Sequence, residues 1–106
     1  MLFNVLLAYA NYDSQIGYVQ GLNYVAAMLL MHIQEEEKCF WCLNYLLNRY
    51  NWRRIYTEEM PKLMELIDIV EKRLETHYPE VSNHLKENDF TVSAAFSPLF
   101  ITLYIY

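Results

Sequence analysis

The stretch Ile16-Gly17-Tyr18-Val19-Gln20-Gly21-Leu22-Asn23 lies where a polar segment of the chain gives way to a long apolar one. It contains both glycines of the chain, and Gly17 follows the turn-forming residues 11–14. Glycine accepts a positive φ angle without steric cost, so a turn is expected at this point. The octet therefore predicts a turn that leads into a helix, with Gln20 held between an aromatic residue and a glycine.

Helices are predicted on both sides of this octet. An apolar stripe at helical spacing indicates a first helix from Leu2 to about Tyr12. The second helix is predicted from about Tyr18 to Ile33, and it is apolar nearly all round, which is typical of a buried element. The acidic run Glu35–Glu37 suits the first turn of a third helix. A loop is expected over Asn51–Arg54.

The second half of the chain continues the helical pattern. Thr57 is predicted to cap a helix that runs from about Glu58 to His77. Pro79 then begins a short helix that reaches Lys86. Within residues 91–106, Ser97-Pro98 is interpreted as a cap and the first residue of a fresh helix. The predicted fold class is all-α, an irregular multi-helix array.

Composition narrows the class of protein. The chain has 106 residues, of which 55% are hydrophobic, with only two Gly and three Pro, so disorder and an all-β design are disfavoured. The net charge is −5 and the eight Lys and Arg form no long basic run, which argues against nucleic acid as a partner. No transmembrane segment is predicted, because the longest nearly uncharged stretch, Phe90–Tyr106, is too short and too broken. No signal peptide is recognised.

Two cysteines, Cys39 and Cys42, invite a zinc or redox interpretation. A zinc site needs about four ligands, and no second Cys or His pair lies at a suitable spacing. Because their spacing also fits one face of a helix, buried helical cysteines are predicted, and no metal. The histidines are scattered and receive no role.

Two groups of charged residues also bear on function. Asp13 and the acidic run Glu35–Glu37 are interpreted as solvated helix ends. Trp52-Arg53-Arg54 fits either a partner-facing patch or an interhelix loop with a tryptophan anchor, and the second interpretation is favoured.

The pattern Gly17-Tyr18-x-Gln20-Gly21-x-Asn23, followed by a long apolar helix, closely resembles the glutamine-finger motif of the TBC domain. Other family features occur before and after this pattern, in the family's order. They are an Ala-Tyr pair, an acidic helix start with an aromatic pair, a Pro-x-x-x-x-His-Leu segment and a Thr-Leu block, here Ala8-Tyr9, Glu35–Trp41, Pro79–Leu85 and Ser97–Tyr104. In the last block Leu99 stands where the family usually has Trp, and Tyr104 where it has Phe. The resemblance covers essentially all 106 residues.

The resemblance implies a GTPase-activating protein for Rab-type small GTPases, a regulator in vesicle trafficking. Gln20 would be the catalytic glutamine finger, supported by Tyr18, Gly21 and Asn23. The expected partner is a Rab GTPase, and no cofactor is expected, since GTP and Mg²⁺ would belong to that partner. The expected location is cytoplasmic, peripheral to membranes through partners. Taken without the resemblance, Gln20 would be interpreted as a helix-start residue that hydrogen-bonds the backbone.

The family also uses an arginine in trans, from an Ile-x-x-Asp-x-x-Arg segment several tens of residues upstream of the glutamine. No such segment occurs in residues 1–106, where the four arginines all follow Gln20: Arg49, Arg53, Arg54 and Arg73. The resemblance therefore implies that residues 1–106 are a partial TBC domain, lacking the arginine-finger segment and the C-terminal part. The chain is expected to be no hydrolase and, alone, to have little activity. The alternative is a non-catalytic helical module, a pseudo-GAP or a structural subunit docked in a larger assembly.

Overall fold

The computed structural model describes residues 1–105, and in that range the chain forms α-helices without any strand. The helices are α1 (Leu2–Tyr12), α2 (Leu22–Ile33), α3 (Glu36–Arg49), α4 (Pro61–His77), α5 (Pro79–Glu87) and α6 (Val92–Ile101). A 3₁₀ turn, Trp52–Ile55, connects α3 to α4. The all-α prediction is confirmed.

The helices form two groups. Helices α1, α2 and α3 pack on one another, while α4 packs against both α5 and α6. The 3₁₀ turn contacts α3 and α4 and so lies between the groups. The radius of gyration is 16.1 Å and the extents are 48 × 25 × 22 Å, whereas a compact domain of this size has a radius of gyration of about 13 Å. The fold is therefore elongated.

Apolar side chains at helical spacing form the core of each group. Leu43 and Leu47 are buried on α3, and Leu63 and Ile67 are buried on α4, each pair four residues apart. Residues at this spacing lie on the same face of a helix, so each helix presents one apolar stripe to its neighbours. Among residues 1–105, no helix combines the length and the apolar character that crossing a bilayer requires.

Two predicted helix starts were wrong. Helix α2 begins at Leu22 rather than near Tyr18, because Gly21 has φ 107°, which no right-handed helix accommodates. Helix α4 begins at Pro61 rather than Glu58, with Met60 as its N-cap residue. The Thr57 hydroxyl does not cap this helix, since it donates a 3.2 Å hydrogen bond to the Arg54 carbonyl.

Two other predictions were wrong. The loop expected over Asn51–Arg54 contains most of the 3₁₀ turn, which begins after Asn51 in a left-handed conformation. No fresh helix begins at Ser97-Pro98, because α6 starts at Val92 and continues through Pro98. The Thr91 hydroxyl oxygen caps α6 by accepting a hydrogen bond from the Ala94 N–H. Tyr106, the end of that predicted segment, lies outside the described residues.

Candidate functional site

The motif glutamine lies in a short connection between α1 and α2, which we call the Gln20 loop (residues 13–21). At its start the Asp13 carbonyl accepts hydrogen bonds from the Ile16 N–H at 3.2 Å and from the Gly17 N–H at 2.9 Å. Gly17 has φ 57°, in the left-handed region that glycine enters freely. The first half of the loop is therefore a closed turn.

The end of the loop is held by α2 and α6. The Gly21 N–H donates a 3.1 Å hydrogen bond to Asn23 Oδ1, which satisfies one of the free donors at the start of α2. Gly21 is buried against the side chain of Ile101 on α6, and a Cβ atom at Gly21 would overlap Ile101 Cγ2. Only glycine fits this position, because it combines a positive φ with a close approach.

Gln20 itself is exposed, and no other group in residues 1–105 hydrogen-bonds its side-chain amide. It lies in a turn rather than in α2, so its amide is not used to satisfy the start of the helix. One acceptor oxygen and two N–H donors are therefore available to a partner. The structure brings Tyr18, Gln20, Gly21 and Asn23 together, with Gln20 at the surface.

Two surface clefts flank the Gln20 loop, and Tyr18, which is 61% exposed, borders both. The first is a groove of about 670 Å³ between the loop and α6, lined by Gln20, Tyr24 and Pro98 among others. The second runs along α1 and is mostly apolar. Its lining includes the α1 residues Leu2, Phe3, Leu6 and Leu7. Gln20 therefore lines a concave part of the surface.

The sequence predicted that Asp13 is a solvated helix end, and this prediction was wrong. Its side chain is only 13% exposed and pairs with Arg53, which is 24% exposed. Arg53 Nε donates to Asp13 Oδ2 at 3.1 Å, and Arg53 Nη2 donates to Oδ1 at 2.9 Å and to Oδ2 at 2.8 Å. The prediction failed because the two residues are 40 positions apart, and local pattern carries no information about such a pair.

The surroundings of this ion pair are also buried. The Tyr9 hydroxyl lies 3.4 Å from Asp13 Oδ2, and burial together with the Asp13 charge raises the pKa of Tyr9 to about 12. Tyr56 follows the 3₁₀ turn and donates a hydrogen bond to the Ile101 carbonyl, and burial raises the pKa of its phenol. Sequence reasoning missed Arg53 and Tyr56 as neighbours of the loop.

The two cysteines lie on α3, as predicted, but only one is fully buried. Cys39 is in the core, where its thiol lies 3.7 Å from the Ala26 carbonyl, and Cys42 is half-buried. Burial raises the pKa of the Cys39 thiol, which opposes a reactive thiolate. In the described part of the chain no three His, Cys, Asp or Glu side chains form a group that could hold a metal ion.

The arginines do not complete a catalytic pair with Gln20. Arg53 is committed to Asp13, and the Arg49 guanidinium lies 5.6 Å from the centre of the Tyr50 ring. Within residues 1–105, no arginine lines the groove beside Gln20. Among the described residues, the groove is therefore lined by the Gln20 amide and by no Lys or Arg.

Comparison with known proteins identifies the family of this chain. Residues 1–106 match the family described as the Rab-GTPase-TBC domain. TBC1 domain family member 4 of Mus musculus is 36% identical over 103 residues, which are 97% of this chain and 8% of that protein. GTPase-activating protein GYP5 of Eremothecium gossypii is 35% identical over 105 residues, 99% of this chain and 13% of that protein.

TBC1 domain family member 1 of Homo sapiens is 34% identical over 103 residues, 97% of this chain and 9% of that protein. The chain thus spans about a tenth of the length of these relatives, and the alignments cover nearly the whole of this chain. Because the family match extends from residue 1 to residue 106 and the Gln20 loop lies inside it, the chain belongs to the Rab-GTPase-TBC domain family.

Proposed function

We propose that the protein containing residues 1–106 stimulates GTP hydrolysis on a Rab-type GTPase and that Gln20 enters the nucleotide site of that GTPase. The observation that carries this proposal is the uncommitted Gln20 amide, displayed on a loop that is held at both ends. Family membership and a relative named as a GTPase-activating protein support it. On this proposal the chain is an activator and performs no hydrolysis of its own.

Gln20 supplies position rather than charge. A GTPase hydrolyses GTP slowly when the attacking water is poorly placed, and an amide can both accept a hydrogen bond from that water and donate to a phosphate oxygen. Such positioning is effective only if the loop is already in place before the partner binds. GTP and Mg²⁺ belong to the partner. Gly21 and Asn23 hold the end of the loop that presents Gln20, and Tyr18 lies exposed beside it.

The charge that develops on the phosphate needs a separate cation. An arginine supplied in trans contributes about 10³–10⁵ in rate, or about 4–7 kcal/mol of barrier at ~1.4 kcal/mol per decade. We propose that this arginine comes from a part of the domain outside residues 1–106. Residues 1–106 by themselves are then expected to stimulate a Rab weakly or not at all.

The test is single-turnover hydrolysis by a panel of purified GTP-loaded Rab proteins, with the full-length protein that contains this chain. Gln20→Ala is expected to lower the stimulated rate by about 10²-fold. Asn83→Ala is the matched control, because it removes an exposed amide from α5, a helix that does not carry the loop. The control should keep full activity.

Two results would contradict the proposal. One is full activity of the Gln20→Ala variant on a Rab that the wild-type protein stimulates. The other is tight binding of a GTP-loaded Rab without any stimulation by the wild-type protein, which would instead indicate the non-catalytic interaction module.

We place the activity in the cytoplasm, at membrane surfaces that the protein reaches through its partner.

A further inference from the structure

The 3₁₀ turn (Trp52–Ile55) and the residue after it reach both ends of the Gln20 loop. Arg53 of the turn pairs with Asp13, where the loop begins. Tyr56, directly after the turn, donates a hydrogen bond to the Ile101 carbonyl, and the side chain of Ile101 lies against Gly21, where the loop ends. A single short element therefore fixes the loop at its start directly and at its end through α6.

We propose that Arg53 is a positioning residue for Gln20, acting through Asp13. This inference rests on the proposed function, because it assigns Arg53 a part in the same reaction. Arg53 does not line the groove and makes no hydrogen bond to Gln20, so it would act by setting where the loop lies. It is also distinct from the cation that catalysis requires, since its guanidinium is already bound to a carboxylate.

The geometry of the pair favours this role over that of an incidental surface contact. Two of its hydrogen bonds form a fork, Nε to Oδ2 and Nη2 to Oδ1, which fixes direction as well as distance. Both side chains are largely shielded from water, so the pair is screened far less than an exposed one. Arg53 Nη2 also donates a 3.2 Å hydrogen bond to Gln15 Oε1 within the loop.

Asp13 transmits this restraint to the backbone. The residue whose carboxylate binds Arg53 is also the residue whose carbonyl closes the turn onto Ile16 and Gly17. Movement of Asp13 therefore moves the whole turn, and Gln20 lies only three residues beyond Gly17. A displacement of about 1 Å at a positioning group can cost about 10²-fold in rate.

The test uses the full-length protein and two substitutions at Arg53. Arg53→Met keeps a long apolar stem and removes the charge, while Arg53→Lys keeps the charge and removes the fork. Arg53→Met is expected to lower the Rab-stimulated kcat by about 10²-fold, and Arg53→Lys by about tenfold, with less than about a twofold change in KM. Glu75→Gln is the control, because it removes an exposed 2.7 Å ion pair with Lys86 that joins α5 to α4.

Hydrogen exchange of the Ile16 and Gly17 amides provides a readout that does not depend on activity. Both amides donate to the Asp13 carbonyl, so both should exchange at least about tenfold faster in Arg53→Met than in the wild-type protein. Their exchange rates should be the same in Glu75→Gln as in the wild-type protein. Unchanged exchange in Arg53→Met, or a loss expressed in KM alone, overturns the assignment. If the wild-type protein stimulates no Rab, the proposed function fails, and the exchange rates still decide whether Arg53 holds the loop.

Discussion

Gly21 and Ile101 lie in direct contact, with no room between them for a methyl group. Ile101 is the last residue of α6, and Gly21 is the last residue before α2. The contact therefore joins the two groups of helices at the base of the Gln20 loop. It also makes Gly21 a structural requirement, independent of any role in catalysis.

Gly21→Ala should destabilise the chain by about 3 kcal/mol, because the new methyl group overlaps Ile101 and the backbone has φ 107°. Gly17→Ala is the matched control. Gly17 also has a positive φ, but no atom lies within 4 Å of an added Cβ, so a loss of only about 1 kcal/mol is expected. Urea unfolding of the purified chain measures both. Equal losses in the two variants would mean that Ile101 yields and that the contact does not restrain the loop.

Asn23→Ala should lower the free energy of unfolding by about 1 kcal/mol, because the Gly21 N–H loses its acceptor. Asn23→Asp keeps an acceptor oxygen at the start of α2 and should retain most of the stability. Urea midpoints of the two variants provide the comparison. An Asn23→Asp loss as large as that of Asn23→Ala would show that the amide N–H₂ group, not the oxygen, is needed there.

Stability should fall as the pH rises from 10 to 12. The pKa of Tyr9 is raised from 10.0 to about 12 by burial and by Asp13, so the unfolded chain loses this proton first. The stabilisation is complete below pH 10 and is lost as the pH approaches 12, with a slope of at most about 1.4 kcal/mol per pH unit from this group. Tyr56 acts in the same direction.

Tyr9→Phe should flatten this part of the stability profile, since phenylalanine does not titrate. Tyr45→Phe is the control, because Tyr45 is exposed on α3. Urea unfolding at pH 9, 10 and 11 distinguishes them. An unchanged slope in Tyr9→Phe would show that the phenol of Tyr9 is not the group that titrates.

The sequence predicted the fold wherever the signal was local. The stripes that bury Leu43 and Leu47, or Leu63 and Ile67, repeat every three or four residues, so α3 and α4 were placed within a few residues. Helix ends were less accurate, because they depend on backbone angles such as that of Gly21. Pro98 was misinterpreted as a helix start because Ser-Pro is also the pattern of a cap and a first helical residue, whereas α6 begins at Val92 and has Thr91 as its cap.

Part of the candidate site is also a local pattern in the sequence. Gln20, Gly21 and Asn23 are neighbours in sequence, so one motif contains them, and the structure places them together. The Asp13–Arg53 pair was missed because its members meet only after α2 and α3 have packed. The sequence shows that one residue is acidic and the other basic, but it gives no sign that each is the other's partner.

The division of the helices into two groups has a consequence for how the chain folds. Each group consists of helices that follow one another in sequence, so each can assemble through contacts of short chain separation, which form fast. The Asp13–Arg53 pair and the Gly21–Ile101 contact span much longer separations and are expected to form last. Refolding followed at the loop amides should therefore lag behind the appearance of helix, so the loop that presents Gln20 is the last part of the chain to reach its native conformation.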